Sequence, residues 1–201
     1  MKRFRSLPLT MALTMSLAAI LLMAFTAPAL RAAMAGKKAP EWDISEWINS
    51  KPISLSGLRG KVVVIDFFQL WCPGCNSFSI PLMHHWEQVF EKEASKGDIA
   101  FVSIHTVFEG RSFQTPKRLR RFLKKKGINH AVGVDRHIGG NRLPETMRRY
   151  ATSGTPEMAI IDKNGIIRMQ HFGGFDPDYG EKLIRTLLDE QFEPKKASLI
   201  R

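Results

Sequence analysis

The sequence contains very little cysteine: Cys72 and Cys75 are the only two in 201 residues, and two residues separate them. A structural disulfide stabilises more when it closes a longer loop, so this spacing indicates chemistry rather than a staple. No second cysteine pair is present to complete a zinc site, although His84 and His85 follow Cys75 by nine and ten residues and could supply ligands. The case for covalent haem attachment is weaker than the case for zinc, because Asn76 follows Cys75 where the haem motif needs histidine.

The chain also lacks charge over a long N-terminal stretch, since no charged residue lies between Arg5 and Arg31. A basic start followed by an apolar run predicts an export signal, with small residues near Ala35 for a signal peptidase. The run approaches the ~20 residues that span a bilayer, so an uncleaved anchor through residues 6–30 is the alternative. Either form predicts a periplasmic or otherwise extracytoplasmic protein.

We expect residues 1–35 to be this signal peptide or anchor, and residues 36–201 to form one domain with a single core. The whole chain has a net charge of +11, and much of the excess lies in a predicted basic helix over residues 116–126. Apolar residues recur there at helical spacing, so a solvated amphipathic helix explains the charge. An anionic lipid surface or an acidic partner is the alternative, and no nucleic-acid motif accompanies the helix.

Hydrophobic patterns predict alternating strands and helices. Residues 61–68 are almost entirely β-branched or aromatic, which indicates a parallel strand covered on both faces. Apolar residues at steps of three and four then predict a helix from Pro73 to about Lys96, bent by Pro81. The other predictions are a peripheral segment over 42–48, strands over 53–55, 99–107, 129–134, 158–162 and 166–171, and helices over 116–126, 144–150 and 177–192. This order, with a hairpin turn at residues 164–165, predicts an α/β fold with a mixed central sheet flanked by helices.

Cys72 is expected at the junction between the buried strand and the following helix. Its sulfur then faces free backbone N–H groups and the positive end of the helix dipole, which favours the thiolate. Cys72 is therefore the predicted nucleophile in attack on a partner disulfide. Cys75 lies one helical turn later, close enough to resolve the adduct and form a redox-active disulfide with Cys72.

The segment from Val64 to Cys75, VIDFFQLWCPGC, resembles the active-site strand and loop of the thioredoxin superfamily. Other motifs are similar to its exported TlpA-like and redoxin-type branch, and they lie at residues 58–62, 106–110, 153–156 and 160–165. The resemblance covers roughly residues 50–190. It implies a thioredoxin-like three-layer fold and a thiol:disulfide oxidoreductase that acts on protein thiols and disulfides without a bound cofactor or metal.

The same resemblance implies roles for four further residues. Pro156 is expected to be a cis proline facing the cysteines, with Thr155 and Pro156 shaping the substrate groove. Asp66 matches the buried acid that takes the proton from Cys75, and burial should raise its pKa; a strand residue paired with lysine or water is the alternative. Trp71 matches the tryptophan that precedes the nucleophile, although it could simply cover the edge of the core.

Two points stay open at this stage. In the family a proline commonly follows the second cysteine by five residues, whereas Pro81 follows Cys75 by six, so the local helix register is undetermined. The direction of electron flow is also undetermined. Similarity to the TlpA-like branch favours a reductase fed by a membrane electron donor, because a DsbA-like oxidase should carry a larger helical insertion.

Two rival functions share the expected fold. Peroxiredoxins have threonine three residues before the reactive cysteine, and Gln69 at that position argues against a thiol peroxidase. Sco-type copper-delivery proteins separate their two cysteines by three residues rather than two. His171 nevertheless lies where their distant histidine ligand could fall.

Overall fold

A six-stranded mixed sheet runs through the computed structural model, which describes residues 34–193. The strands are β1 (Ile44–Ile48), β2 (Val62–Phe68), β3 (Ile99–His105), β4 (Ala131–Asp135), β5 (Glu157–Ile161) and β6 (Ile167–Phe172). The helices are α1 (Ile80–Val89), α2 (Glu91–Lys96), α3 (Pro116–Lys126), α4 (Glu145–Arg149) and α5 (Pro177–Asp189). The strand order is β1-β4-β3-β2-β5-β6, and the predicted α/β fold is confirmed.

The predicted signal or anchor over residues 1–35 lies outside the described residues, apart from its last two. Among residues 34–193, no helix combines the length and the hydropathy needed to cross a bilayer.

Strand β2 is the centre of the sheet. It pairs in parallel with β3 and antiparallel with β5, and all seven of its residues are buried. Because side chains alternate along a strand, Val62 and Val64 pack on one face, against Trp86 of α1, while Val63 and Ile65 pack on the other. Each large apolar side chain fully buried in this way contributes about 1.5–3 kcal/mol. The central strand is therefore a rigid support for the loop that follows it.

The helix after the cysteines begins with a π-helical turn over Cys75–Ser79, before the regular helix α1. A π turn contains one more residue than an α turn. Pro81 lies just after this turn, at the junction where the π turn passes into α1. The six-residue spacing from Cys75 to Pro81 is thus accommodated by the π turn, which replaces the simple bend predicted from the sequence.

Of the other elements predicted from the sequence, the basic helix is present and the strand over residues 53–55 is not. The basic helix is confirmed as α3: the Thr115 hydroxyl accepts a hydrogen bond from the Arg118 N–H, and Gly127 ends the helix with φ +69°. The predicted strand over residues 53–55 is wrong. Those residues are irregular, and a 3₁₀ turn, Ser56–Leu58, follows them. Residues 44–48 form the edge strand β1, which pairs antiparallel with β4.

Candidate active site

Cys72 and Cys75 lie where β2 gives way to the helix, as predicted. The backbone N–H of Cys75 donates a hydrogen bond to Cys72 Sγ over 3.2 Å. A free N–H at the start of a helix stabilises a negative charge on the sulfur it contacts. Cys72 is 9% exposed whereas Cys75 is fully buried, so an external disulfide can reach only Cys72. The two thiols are free in the structure.

The loop before β5 closes the site from the opposite side. The Thr155–Pro156 peptide bond is cis, as the resemblance implies. The Thr155 carbonyl accepts a hydrogen bond from Cys72 Sγ over 3.2 Å. The Pro156 ring packs on Gly74, where an added β-carbon would lie 2.8 Å from Pro156 Cδ. A residue without a side chain is therefore needed between the two cysteines.

A shallow groove of about 420 Å³ opens at Cys72. Its walls include Trp71, Pro73, Phe108 and the Thr155 side of the cis-proline loop. Thr155 thus faces the predicted substrate position, whereas Pro156 supports the groove from beneath Gly74 rather than lining it. The groove therefore brings aromatic and apolar side chains, together with the polar Gln69 and Glu109, beside the Cys72 sulfur.

Asp66 is fully buried in β2, on the face that packs against α1. Within the described residues, neither carboxylate oxygen has a hydrogen-bond partner. Burial raises the pKa of Asp66 to about 7; the Ser79 hydroxyl, which lies nearby but does not form a good hydrogen bond, and the positive charge of His130 oppose this rise. The predicted increase in pKa is confirmed. The alternative, in which Asp66 pairs with lysine or reaches water, is not what the structure has.

The thiol of Cys75 has the complementary property. Burial raises its pKa most, and the hydrogen bond with Cys72 and the charge of Asp66 raise it further. A thiol of this kind does not ionise unaided at neutral pH. The charge of Asp66 is one cause of the raised pKa of Cys75, so the two buried groups lie within electrostatic reach of each other.

Trp71 is half exposed, and two contacts set its orientation. Its Nε1–H donates a hydrogen bond to Gln69 Oε1 over 3.2 Å. Its ring lies against Gly110, where any side chain would collide with the indole and where φ is +59°. Trp71 therefore forms a wall of the groove and does not simply cover the core.

Gln114, which the sequence analysis did not single out, holds the active-site loop in place through side-chain hydrogen bonds. Its Oε1 accepts a hydrogen bond from the Leu70 N–H over 3.0 Å, and its Nε2 donates to the Glu109 carbonyl over 2.9 Å and to Gln69 Oε1. His105 Nε2 lies 3.2 Å from the same Gln114 oxygen. Because burial lowers the pKa of His105 to about 4, its ring is neutral at pH 7 and can donate to that oxygen. No local pattern marks a loop glutamine for this role.

The sequence analysis also did not single out Glu157, although it is the one charged residue in the otherwise apolar strand β5. It follows Pro156 directly and is buried. Its Oε2 accepts a hydrogen bond from the Ser153 N–H over 2.7 Å, and its Oε1 accepts one from Gln170 Nε2. Burial raises the pKa of Glu157. This carboxyl group holds the two ends of the loop 153–156 together.

His84, His85 and His171, the histidines weighed as metal ligands, contact groups other than the two cysteines. His171 Nε2 lies 3.1 Å from the Gly174 carbonyl, and His84 and His85 face Glu87 and Glu181. Across residues 34–193, no group of three or more His, Cys, Asp or Glu side chains is arranged to hold a metal ion.

The buried strand, the cysteine pair at the helix start and the cis-proline loop define a thioredoxin-like protein with a dithiol site. The chain belongs to the AhpC/TSA family, whose model matches residues 35–170. It is 40% identical to the thioredoxin-like superfamily protein SPOA0173, with a TM-score of 0.72 over 78% of this chain and 99% of that one. It is 35% identical to a thiol-disulfide isomerase from Corynebacterium glutamicum, with a TM-score of 0.70 over 76% and 98%.

Among curated relatives, protein DipZ of Mycobacterium tuberculosis is 30% identical over 153 residues. The match covers 73% of this chain but only 20% of DipZ. The chain thus spans about a fifth of the length of that relative.

Proposed function

We propose that this chain is an extracytoplasmic thiol:disulfide oxidoreductase that reduces disulfides in protein substrates. The observation that carries the proposal is the asymmetry of the cysteine pair. Cys72 lies at the floor of the groove with an N–H directed at its sulfur, whereas Cys75 is buried and acted on by Asp66. One sulfur is placed to attack and the other to resolve.

In the first step, the Cys72 thiolate attacks one sulfur of the substrate disulfide. A bond forms between Cys72 and that sulfur while the substrate S–S bond breaks, and the departing substrate thiolate takes a proton from water. Trp71 and the Thr155 loop flank the reacting sulfur atoms. The groove orients the polypeptide so that the three sulfur atoms can align.

In the second step, the Asp66 carboxylate accepts the proton of Cys75. The Cys75 thiolate then attacks Cys72 Sγ, the mixed disulfide breaks, and the second substrate thiolate leaves. Two electrons have passed from the dithiol to the substrate, and the protein holds a Cys72–Cys75 disulfide. A membrane electron donor would return the dithiol form.

Two features support reduction outside the cytoplasm. The uncharged N-terminal run is typical of exported chains. The connection from β3 to β4 contains one helix of 11 residues, α3, rather than a large helical insertion of the kind expected in a DsbA-like oxidase.

The test is reduction of a protein disulfide by the purified dithiol protein, with Cys72→Ser and Cys75→Ala as variants. Cys72→Ser should abolish the activity, and Cys75→Ala should accumulate mixed disulfides that can be identified on non-reducing gels. A redox potential of about −270 mV supports a reductase, whereas about −120 mV would make the protein an oxidant and overturn the proposed direction.

A thiol peroxidase is the second candidate, since the family match includes redoxin-type proteins. Against it, Gln69 occupies the position where peroxiredoxins have threonine, and its side-chain oxygen is already bound by Trp71 and Gln114. We expect the dithiol protein to consume peroxide no faster than a free thiol does. A much faster rate would favour the peroxidase.

A further inference from the structure

Beyond the cysteines, a row of polar groups extends from the buried base toward the surface. Asp66 of β2 lies in register with Ser103 of β3, and both are buried. In paired parallel strands, residues in register direct their side chains to the same face. That face is the one covered by α1, because Val64 and Phe101, two residues before each, pack there.

The row continues through His130. Its Nε2 lies 2.8 Å from Ser103 Oγ, and its Nδ1 lies 2.8 Å from Glu87 Oε1. The side chain of His130 is 7% exposed and that of Glu87 is 28% exposed, so the contacts lead from the interior to solvent. Each ring nitrogen is occupied, which leaves the imidazole a single orientation.

One face of the active-site helix joins the two ends of this row. Ser79, Met83 and Glu87 are spaced four residues apart and share that face. The Ser79 hydroxyl acts on Asp66, while Glu87 binds His130. The helix that starts at the cysteines therefore also sets the position of His130 relative to the base.

We propose that His130, fixed between Glu87 and Ser103, is a positioning residue for the proton transfer from Cys75 to Asp66. The imidazolium favours the carboxylate form of Asp66, which is the form that accepts the proton. Glu87 in turn holds the His130 ring in the position from which it acts on Asp66. This inference rests on the role given to Asp66 in the proposed function.

The charges around His130 come from three elements. Glu87 binds it from α1, His84 contacts Glu87 in turn with Nδ1 3.6 Å from Glu87 Oε2, and Asp66 lies within electrostatic reach on β2. Ser103 contributes a neutral hydroxyl from β3. From the β1 side, Asn49 binds only the backbone carbonyl of His130. Of the four side chains on this row, Asp66, Ser103, His130 and Glu87, His130 is the basic one.

The test uses the reduced full chain and dithiobis(nitrobenzoate), a disulfide that releases a coloured thiolate. Attack by Cys72 releases one equivalent and leaves a mixed disulfide; attack by Cys75 on that adduct releases the second and forms the protein disulfide. Stopped-flow measurement of the second phase against pH reports the step that depends on Asp66. Because each phase has its own rate, the two cysteines are separated in one experiment.

In His130→Gln, the midpoint of the second-phase profile should move upward by about half a pH unit or more, with the high-pH plateau retained. Glu87→Leu should move it in the same direction when His130 is present, and not when His130 is Gln, because the ring then loses the partner that holds it in place. The matched control is His85→Gln on the same helix, whose ring is 57% exposed and pairs with Glu181. It should leave the profile unchanged.

An unchanged midpoint in His130→Gln overturns the inference. If that variant does not fold, an unchanged midpoint in Glu87→Leu overturns it instead. A protein that shows both phases and the expected shift, but reduces no protein disulfide, would refute the proposed function and leave the role of His130 intact. A profile that loses its plateau without moving its midpoint would indicate a structural role only, and would also overturn the inference.

Discussion

The ring of Pro156 rests on the backbone of Gly74, so that a β-carbon on Gly74 would lie 2.8 Å from Pro156 Cδ. The contact joins the turn between the cysteines to the loop whose Thr155 carbonyl binds Cys72. The two halves of the site thus touch through the smallest residue available. Any atom added there must displace one half from the other.

Gly74→Ala should therefore lower the rate of protein disulfide reduction and destabilise the fold by about 1–3 kcal/mol. The backbone of Gly74 has φ −62°, which alanine adopts freely, so the effect reports the collision and not backbone strain. Gly140→Ala is the matched control, because nothing lies within 4 Å of a β-carbon at that position. Turnover assays and urea unfolding measure the two effects. Equal behaviour of the two variants would contradict the steric account.

Asp66→Asn should slow the second step, attack by Cys75, at neutral pH and leave the first step unchanged. The variant should also alter how stability depends on pH. In the wild-type protein the unfolded Asp66 ionises near 3.8, while the folded one stays protonated until about 7. The contribution of this group to stability is complete below pH 3.8 and is lost as pH rises through about 7, by about 4 kcal/mol at most.

Asn carries no such dependence, so Asp66→Asn should gain stability relative to wild type as pH rises from 4 to 8. Urea unfolding of both proteins at several pH values measures this difference. A constant difference across that range would show that Asp66 does not titrate in it, and would remove it as the base.

Gln114→Leu should lower kcat/KM for protein substrates while Cys72 remains reactive toward small disulfides. The substitution keeps the volume but leaves the partly buried Leu70 N–H without its acceptor, at a cost of about 1 kcal/mol. Trp71, held through Gln69, should then change its fluorescence. Gln191→Leu, at an exposed position, serves as the control. Unaltered kcat/KM in Gln114→Leu would show that the clamp is unnecessary for substrate binding.

Glu157→Leu should reduce activity because the loop 153–156 loses the acceptor of the Ser153 N–H. Glu157→Gln should remain close to wild type, since an amide oxygen can accept the same hydrogen bond. Hydrogen exchange at the Ser153 amide provides the direct measurement, with faster exchange in the Leu variant alone. Equal protection in both variants would mean that the loop is held by other contacts.

Several elements were predictable because their signals are local. The run 61–68 is apolar enough to require burial on both faces, and β2 lies there. Thr115-Pro116 and Gly127 carry the capping chemistry of α3, so its ends are as predicted. The strand predicted over residues 53–55 does not form, because its local signal is weak. Three residues carry too little pattern to predict a strand, and in the structure the Leu55 N–H donates a hydrogen bond to Glu41 Oε2 instead of joining a sheet.

The sequence by itself determined the placing of the two cysteines, because residues three positions apart at a strand-to-helix junction stay close together whatever surrounds them. It also determined Asp66 as an acid within a strand too apolar to be exposed. Only the tertiary structure decided what each group faces. Gln114 meets Leu70 across 44 residues and Pro156 meets Gly74 between separate loops, since such contacts depend on how the elements pack. The burial that raises the pKa of Asp66 is likewise a property of the assembled core.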